Sequence, residues 1–162
     1  VLPEQEEIPD QALQMYQNYQ ENQEIPVQLS IEDIRIFTNE IAVLNGYYEI
    51  GKPQSGKKDP DVIFPGENIA IPGGKKVFVK KHDYLWKIAI ESLKEAYKEN
   101  FIKINKIYKK IINFQKRMLD NFREVFIMKK EAEELQKKCL IKSQRQIIQK
   151  ILEKINKMGQ NR

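Results

Sequence analysis

Residues 69–79 read IAIPGGKKVFV, and this stretch decides how the first half of the chain folds. Ile69 and Ile71 lie on one face of a short strand before Gly73-Gly74, a second apolar stretch, Val77-Phe78-Val79, follows, and a glycine pair suits a tight turn. The sequence therefore predicts two short strands in an antiparallel β-hairpin. A two-stranded sheet is too small to be stable alone, so we expect helices to pack against it.

A helix is predicted before the hairpin. Ser30 is a typical N-cap residue, and Glu32 and Asp33 follow it in the first turn, where acidic side chains interact favourably with the helix dipole. The pair Asn45-Gly46 supplies a C-cap at the other end. Between these ends the apolar residues share one face of the helix, and they are Ile34, Phe37, Ile41 and Leu44.

Residues 75–158 contain neither Gly nor Pro, a composition typical of helix once the second strand has ended. One straight helix of this length would exceed roughly 100 Å at about 1.5 Å per residue, so we expect a fold-back. Apolar residues recur in steps of three and four from Tyr97 to Val125 and again from Ile141 to Met158. This pattern predicts two amphipathic helices in a hairpin of the coiled-coil type. We place the reversal near residues 128–131.

The predicted fold class is α+β and mostly α. The N-terminal segment is acidic and rich in Gln and Pro, and we interpret it as an arm that packs on another element or as a linker, with a short helix over residues 10–22. The predicted organisation is an arm over residues 1–29, an α/β core over 30–97, a helical hairpin extension over 98–158 and a tail over 159–162.

Charge is divided unevenly along the chain. Residues 1–50 hold ten acidic residues and Arg35 as their only base, whereas the rest of the chain holds 27 basic and 13 acidic residues. Opposite charges of this kind attract each other or recruit separate partners. The lysines are spread around the predicted helices and no base-reading module is evident, so we predict no nucleic-acid partner.

The sequence offers few residues for catalysis or metal binding. Cys139 is the only cysteine and His82 the only histidine, which excludes an intrachain disulfide and imidazole-rich metal sites. We interpret Asp59, Asp61 and Glu67 as turn residues rather than as a glycosidase pair. The sequence therefore predicts no enzymatic activity, no cofactor and no metal. No apolar run approaches the roughly 18 residues of a membrane span, so none is predicted in this chain.

Two segments resemble a known module. Residues 77–89, VFVKKHDYLWKIA, are similar to the first strand and helix of a LysM module, and residues 58–72, KDPDVIFPGENIAIP, are similar to its end. With residues 38–46, TNEIAVLNG, the region resembles LysM-like envelope proteins of spirochaetes. The ending precedes the beginning, so the region is either a degenerate module followed by a truncated one or a single module in permuted order. The hairpin favours permutation, because one turn then joins the two antiparallel strands.

The resemblance implies a location in the cell envelope or periplasm and a groove for N-acetylglucosamine chains such as peptidoglycan. His82 stands where the family usually has glycine, and Tyr84 stands where it has Thr or Ser. Trp86 is expected in the core. The positions that match the family's groove are Asp59, Asp61, Ile63, His82, Asp83 and Tyr84.

The long apolar seam has two interpretations. It is the internal core of the helical hairpin, or it also forms a surface for a partner helix, because a hairpin alone does not cover so wide a stripe. The candidate partner-binding residues are Phe101, Tyr108, Ile111, Phe114, Phe122 and Phe126. The sequence thus predicts a non-enzymatic cell-envelope protein that binds and stabilises another envelope protein, with peptidoglycan binding as the alternative. The chain begins at Val1 without a signal-like segment, so this compartment is expected from the resemblance alone.

Overall fold

A computed structural model describes residues 10–117 and 122–160. The chain divides into two compact units, one formed by Val27–Ala96 and the other by the segments up to Pro26 and from Tyr97 onward. The elements within the described residues are α1 (Asp10–Asn18), α2 (Ile31–Leu44), β1 (Asn68–Ala70), β2 (Lys76–Phe78), α3 (Leu85–Arg117), α4 (Phe122–Lys138) and α5 (Lys142–Gln160).

Helix α2 begins and ends where the sequence predicts. The Ser30 hydroxyl accepts a hydrogen bond from the Asp33 backbone N–H at 3.0 Å, which satisfies one free donor of the first turn. Asn45 is the C-cap, and Gly46 follows with a φ of 81°, a left-handed conformation that glycine adopts without strain. The buried face of the helix includes Ile34, Phe37, Ile41 and Ala42.

The predicted β-hairpin is confirmed. Strands β1 and β2 pair antiparallel, with Ile69 opposite Val77. Gly73 and Gly74 have φ values of 104° and 95°, so a side chain at either position would strain the turn. Ile69 and its neighbours on the same face are buried, and they form the small core of this unit with α2 and the first turns of α3.

The first turns of α3 contribute apolar residues to this core. Leu85, Ile88 and Ala89 are buried, whereas Trp86 is half-buried rather than enclosed as expected. The unit therefore runs helix, strand, strand, helix along the chain. The molecule as a whole is α+β and mostly α, as predicted.

Within residues 10–26, 97–117 and 122–160, the second unit is helical and has one more helix than predicted. The proposed reversal near Met128 is wrong, because α4 continues without interruption from Phe122 to Lys138. Met128, Ala132 and Leu135 are buried along one face of α4, so a bend at 128–131 would remove an apolar face from the core. The chain instead leaves the helix at residues 139–141, and α5 begins at Lys142.

Helix α1 belongs to the helical unit. The Tyr16 ring stacks on Phe101 with centroids 4.1 Å apart, and Tyr19 meets the same ring edge-on. Asn105 donates from Nδ2 to the carbonyls of Tyr16 at 2.6 Å and Tyr19 at 3.2 Å. The predicted helix over residues 10–22 ends earlier, at Asn18. The part of the predicted arm that contains α1 and Tyr19 thus packs on α3 within this unit.

Candidate protein-interaction groove

The six predicted partner-binding residues divide into two groups in the structure. Phe101, Tyr108, Ile111 and Phe114 are buried, so they build the core of the helical unit. Phe122 and Phe126, at the start of α4, are each 56% exposed. The surface open to a partner therefore lies at α4 rather than along the whole seam.

A groove runs between α3 and α4, which lie antiparallel in this part of the helical unit. Asn100 contacts Cys139 at one end, with Nδ2 to Sγ at 3.5 Å, and Lys110 contacts Glu131 further along, with Nζ to Oε2 at 3.0 Å. We call this feature the α3–α4 groove, and its volume is about 590 Å³. Its apolar lining consists of Ile107, Phe126, Ile127 and Leu135.

The apolar lining is partly open to solvent. Ile107 and Leu135 are buried at the bottom of the groove, whereas Phe126 is 56% and Ile127 is 45% exposed. Two large apolar side chains one after the other on a regular helix leave apolar area that burial against a partner would stabilise. The α4 side of the groove therefore has the exposed apolar area that is typical of a docking surface.

Lysines border the groove on both helices. The lining contains Lys103, Lys106 and Lys110 from α3 and Lys130 and Lys138 from α4, against two glutamates, Glu131 and Glu134. The aliphatic stems of lysines cover apolar surface while their ammonium groups remain in water, so this border hydrates the edge of an apolar groove. The groove therefore combines an apolar floor with a positive rim.

The rim lysines differ in what they contact. Lys110 is paired with Glu131, and the Lys130 ammonium lies 4.8 Å from the centre of the Phe126 ring. Lys103, Lys106 and Lys138 make no ion pair with any residue that the structure describes. These three ammonium groups are available to an acidic ligand.

Phe126 also lies beside a second groove, on the α5 side of α4. This groove has a volume of about 770 Å³, and its apolar lining consists of Phe122, Val125, Phe126 and Ile155. Phe126 thus stands between two depressions, and of these the α3–α4 groove has the more strongly charged rim.

A buried polar cluster fixes α5 against α3 beneath these surfaces. Gln144 is fully buried, donates from Nε2 to the Tyr97 carbonyl at 2.9 Å and accepts from Asn100 Nδ2 at 3.1 Å. The Tyr16 hydroxyl donates to the Tyr97 hydroxyl at 3.4 Å, and burial raises the pKa of Tyr16 well above its ordinary value. The sequence pattern showed Gln144 only as a break in an apolar seam.

The residues matched to the LysM groove lie in the other unit and serve their own turns. Asp59 accepts from the Asp61 backbone N–H at 2.9 Å, and Asp83 accepts from the Lys80 backbone N–H at 2.8 Å and from Lys87 at 3.2 Å. These bonds, first that from Lys80 and then that from Lys87, lower the pKa of Asp83. Both carboxylates therefore have structural partners already.

The hairpin brings these two turns to one end of the sheet. The Gly66 N–H donates to the Val79 carbonyl and the Val79 N–H donates to the Glu67 carbonyl, both at 2.9 Å. Asp59 to Ile63 precede this junction and His82 to Tyr84 follow it. His82 is exposed with a φ of 69°, Ile63 is half-buried, and Tyr84 is 54% exposed.

Other features of the described chain add no further chemistry. The described residues include no cluster of three His, Cys, Asp or Glu side chains placed to hold a metal ion. None of the described helices combines the length and apolar character needed to cross a membrane.

No protein-family model matches the chain, and no curated protein or solved structure matches it either. The resemblance to LysM modules stays a prediction.

Proposed function

We propose that this chain is a non-enzymatic cell-envelope protein that binds another envelope protein through the α3–α4 groove. The observation that carries the proposal is the exposure of Phe126 and Ile127 beside the buried apolar residues Ile107 and Leu135. Aromatic anchors over an apolar floor are typical of the residues that dominate protein–protein binding energy. Burying a fully exposed Phe or Ile side chain contributes about 1.5–3 kcal/mol, and Phe126 and Ile127 are about half exposed, so a partner gains roughly half of that from each.

The support beneath the groove favours a preformed binding surface. Met128, Ala132 and Leu135 anchor α4 in the core, and Gln144 ties α5 to α3. A surface held on packed helices loses less conformational freedom on binding than one held on loops. The envelope location rests on the resemblance of residues 58–72 and 77–89 to LysM modules, with that unit as the supporting core.

Site-specific photo-crosslinking tests the proposal. A crosslinking amino acid at position 126 is expected to capture a discrete envelope protein, whereas the same group at the exposed position 154 on α5 is expected not to capture it. The captured protein is then purified and titrated against the intact chain and the Phe126→Ser variant, which is expected to bind about tenfold more weakly. Equal affinity for both chains, with folding unchanged by circular dichroism, contradicts the proposal.

Peptidoglycan binding is the second candidate. Its support is that residues 59–63 and 82–84 leave the same end of the hairpin, and that Tyr84 there is 54% exposed. Aromatic faces stack on sugar rings, so Tyr84 is the natural contact. Co-sedimentation with purified peptidoglycan tests it: Tyr84→Ala and Asp61→Ala are expected to reduce pelleting, and Phe126→Ser is not. Asp83→Ala is a poor test because Asp83 holds its own turn.

A further inference from the structure

We propose that the partner segment that occupies the α3–α4 groove is an acidic amphipathic helix of about three turns. The inference rests on the proposed function and adds the chemistry of the ligand. It follows from three properties of the groove: its length, the position of its apolar floor and the sign of its rim.

The length of the groove matches a short helix. Its lining runs from Asn100 to Lys110 on α3 and from Phe126 to Lys138 on α4. These stretches span roughly 15–18 Å at about 1.5 Å per residue, which is the length of a helix of about twelve residues. Two neighbouring helices present ridges and a central channel into which a third helix packs.

The narrow apolar floor matches a ligand helix with one apolar stripe rather than a helix that is apolar on all sides. Ile107 and Leu135 lie buried at the bottom, and Phe126 and Ile127 form one wall. A helix with apolar residues at i, i+3, i+4 and i+7 presents one such stripe and keeps its other face polar. The ligand is therefore amphipathic.

The rim selects the charge of the polar face. Five lysines border the groove against two glutamates, and Glu131 is already paired with Lys110. Lys103, Lys106 and Lys138 have no ion pair within the described residues. A ligand with glutamates beside its apolar stripe complements these charges, whereas a basic ligand is repelled.

A pair of designed peptides tests this inference with the full-length chain. Both are capped, fluorescein-labelled helices with leucine at i, i+3, i+4 and i+7, and they differ only in carrying glutamate or lysine at the flanking positions. We expect the glutamate peptide to bind with an affinity that falls as salt is raised, because the rim contacts are exposed. We expect the lysine peptide to bind at least about tenfold more weakly.

Variants locate the binding in the groove. Phe126→Ser removes the aromatic half of the apolar wall and leaves Ile127 in place, and Lys103→Gln/Lys106→Gln/Lys138→Gln removes the unpaired rim charges. Each variant is expected to bind the glutamate peptide about tenfold more weakly than the wild-type chain does. The matched control, Lys142→Gln/Lys154→Gln/Lys157→Gln, makes the same change in charge at exposed positions of α5 and is expected to retain binding.

Equal binding of the two peptides, or unchanged binding of the glutamate peptide by the rim variant, overturns the inference. Self-association of the chain that depends on Phe126 also overturns it, because a second copy would then fill the groove. Failure of the glutamate peptide while a crosslinked partner still depends on Phe126 rejects the acidic-helix ligand alone. Loss of both partner capture and peptide binding rejects the proposed function as well.

Discussion

The side chain of Asn45 pairs with the backbone of Ala70 through two hydrogen bonds. Asn45 Nδ2 donates to the Ala70 carbonyl at 2.9 Å, and the Ala70 N–H donates to Asn45 Oδ1 at 2.8 Å. The same amide nitrogen donates to the Ile41 carbonyl at 2.7 Å. Alternate residues of a paired strand direct their backbone N–H and C=O groups away from the partner strand. The Asn45 side chain bonds these groups of Ala70, and so occupies the place that a third strand would take. The C-cap of α2 thus completes the edge of the sheet.

The Asn45→Ala variant is expected to lower the free energy of unfolding of this unit by about 1–3 kcal/mol, because it leaves the Ala70 groups without their side-chain partner. Urea unfolding followed by the fluorescence of Trp86, the only tryptophan of the chain, measures the change. Val43→Ala, at an exposed position of the same helix, is the control and is expected to stay within about 0.5 kcal/mol. An Asn45→Ala midpoint equal to the control would mean that water replaces the side chain at no cost.

Replacing Gln144 by leucine is expected to destabilise the helical unit by about 1–3 kcal/mol despite the added apolar character. The substitution removes the partner of the buried Tyr97 carbonyl and of Asn100. Thermal unfolding by circular dichroism measures the effect, with Gln115→Leu at an exposed position of α3 as the matched control. A more stable Gln144→Leu variant would show that this cluster costs more to bury than its hydrogen bonds return.

The Asn105→Ala variant is expected to release the C-terminal end of α1. The Asn105 side-chain amide donates to the carbonyls of Tyr16 and Tyr19, so the backbone of residues 13–19 would open more often without this amide. Hydrogen–deuterium exchange read by mass spectrometry should report about tenfold faster exchange in this segment for each ~1.4 kcal/mol lost. Asn156→Ala on α5 is the control. Unchanged exchange in residues 13–19 would mean that the contact of Tyr16 with Phe101 suffices to hold α1.

Stability at alkaline pH should depend on Tyr47. Its hydroxyl donates to Glu67 Oε2 at 2.8 Å, and burial followed by this bond raises the pKa of Tyr47 from 10.0 to about 12. The folded state keeps the proton longer than the unfolded chain, so the stabilisation is complete below pH 10.0 and is lost as the pH rises to about 12. Tyr47→Phe removes this dependence. Urea titrations at several pH values across that range should show that the free energy of unfolding falls less steeply with pH in the variant than in the wild type. The same pH dependence in both chains would refute the assignment.

The His82→Gly variant is expected to match or exceed the wild-type stability. A φ of 69° at His82 lies in the left-handed region, which costs a residue with a Cβ about 1–2 kcal/mol. Glycine avoids this strain but loses about 0.5–1 kcal/mol of backbone entropy, so the net gain in stability is about 0–1.5 kcal/mol. His82→Ala keeps the Cβ and serves as the control. A glycine variant less stable than the alanine variant would show that the turn is not strained.

The parts of the fold that were predicted correctly depend on local signals. The Ser30 N-cap, the Asn45-Gly46 end of α2 and the Gly73-Gly74 turn each act over a few residues, so the sequence displays them directly. The end of α4 has no such signal. The Cys139 carbonyl there accepts from Arg145 at 3.1 Å, and Cys139 and Ile141 are buried, so contacts across the turn decide where the helix stops.

The candidate groove was predicted only in part for a similar reason. The apolar seam identified Phe126 but also four residues that the structure buries. One of them, Phe101, is covered by Tyr16 and Tyr19 from a distant part of the chain. The signal that was overlooked is the spacing of Lys103, Lys106 and Lys110. Steps of three and four place them on one side of α3, beside the groove.

The contact between Asn105 and Tyr16 joins residues 89 positions apart, with the whole sheet-containing unit inserted between them. During synthesis α1 therefore leaves the ribosome long before the surface that receives it, and the inserted unit has the opportunity to fold first. Until Tyr97 and Phe101 emerge, Tyr16 lacks both aromatic side chains that it contacts in the folded chain. The order of translation thus makes the first helix of the chain one of the last to be placed.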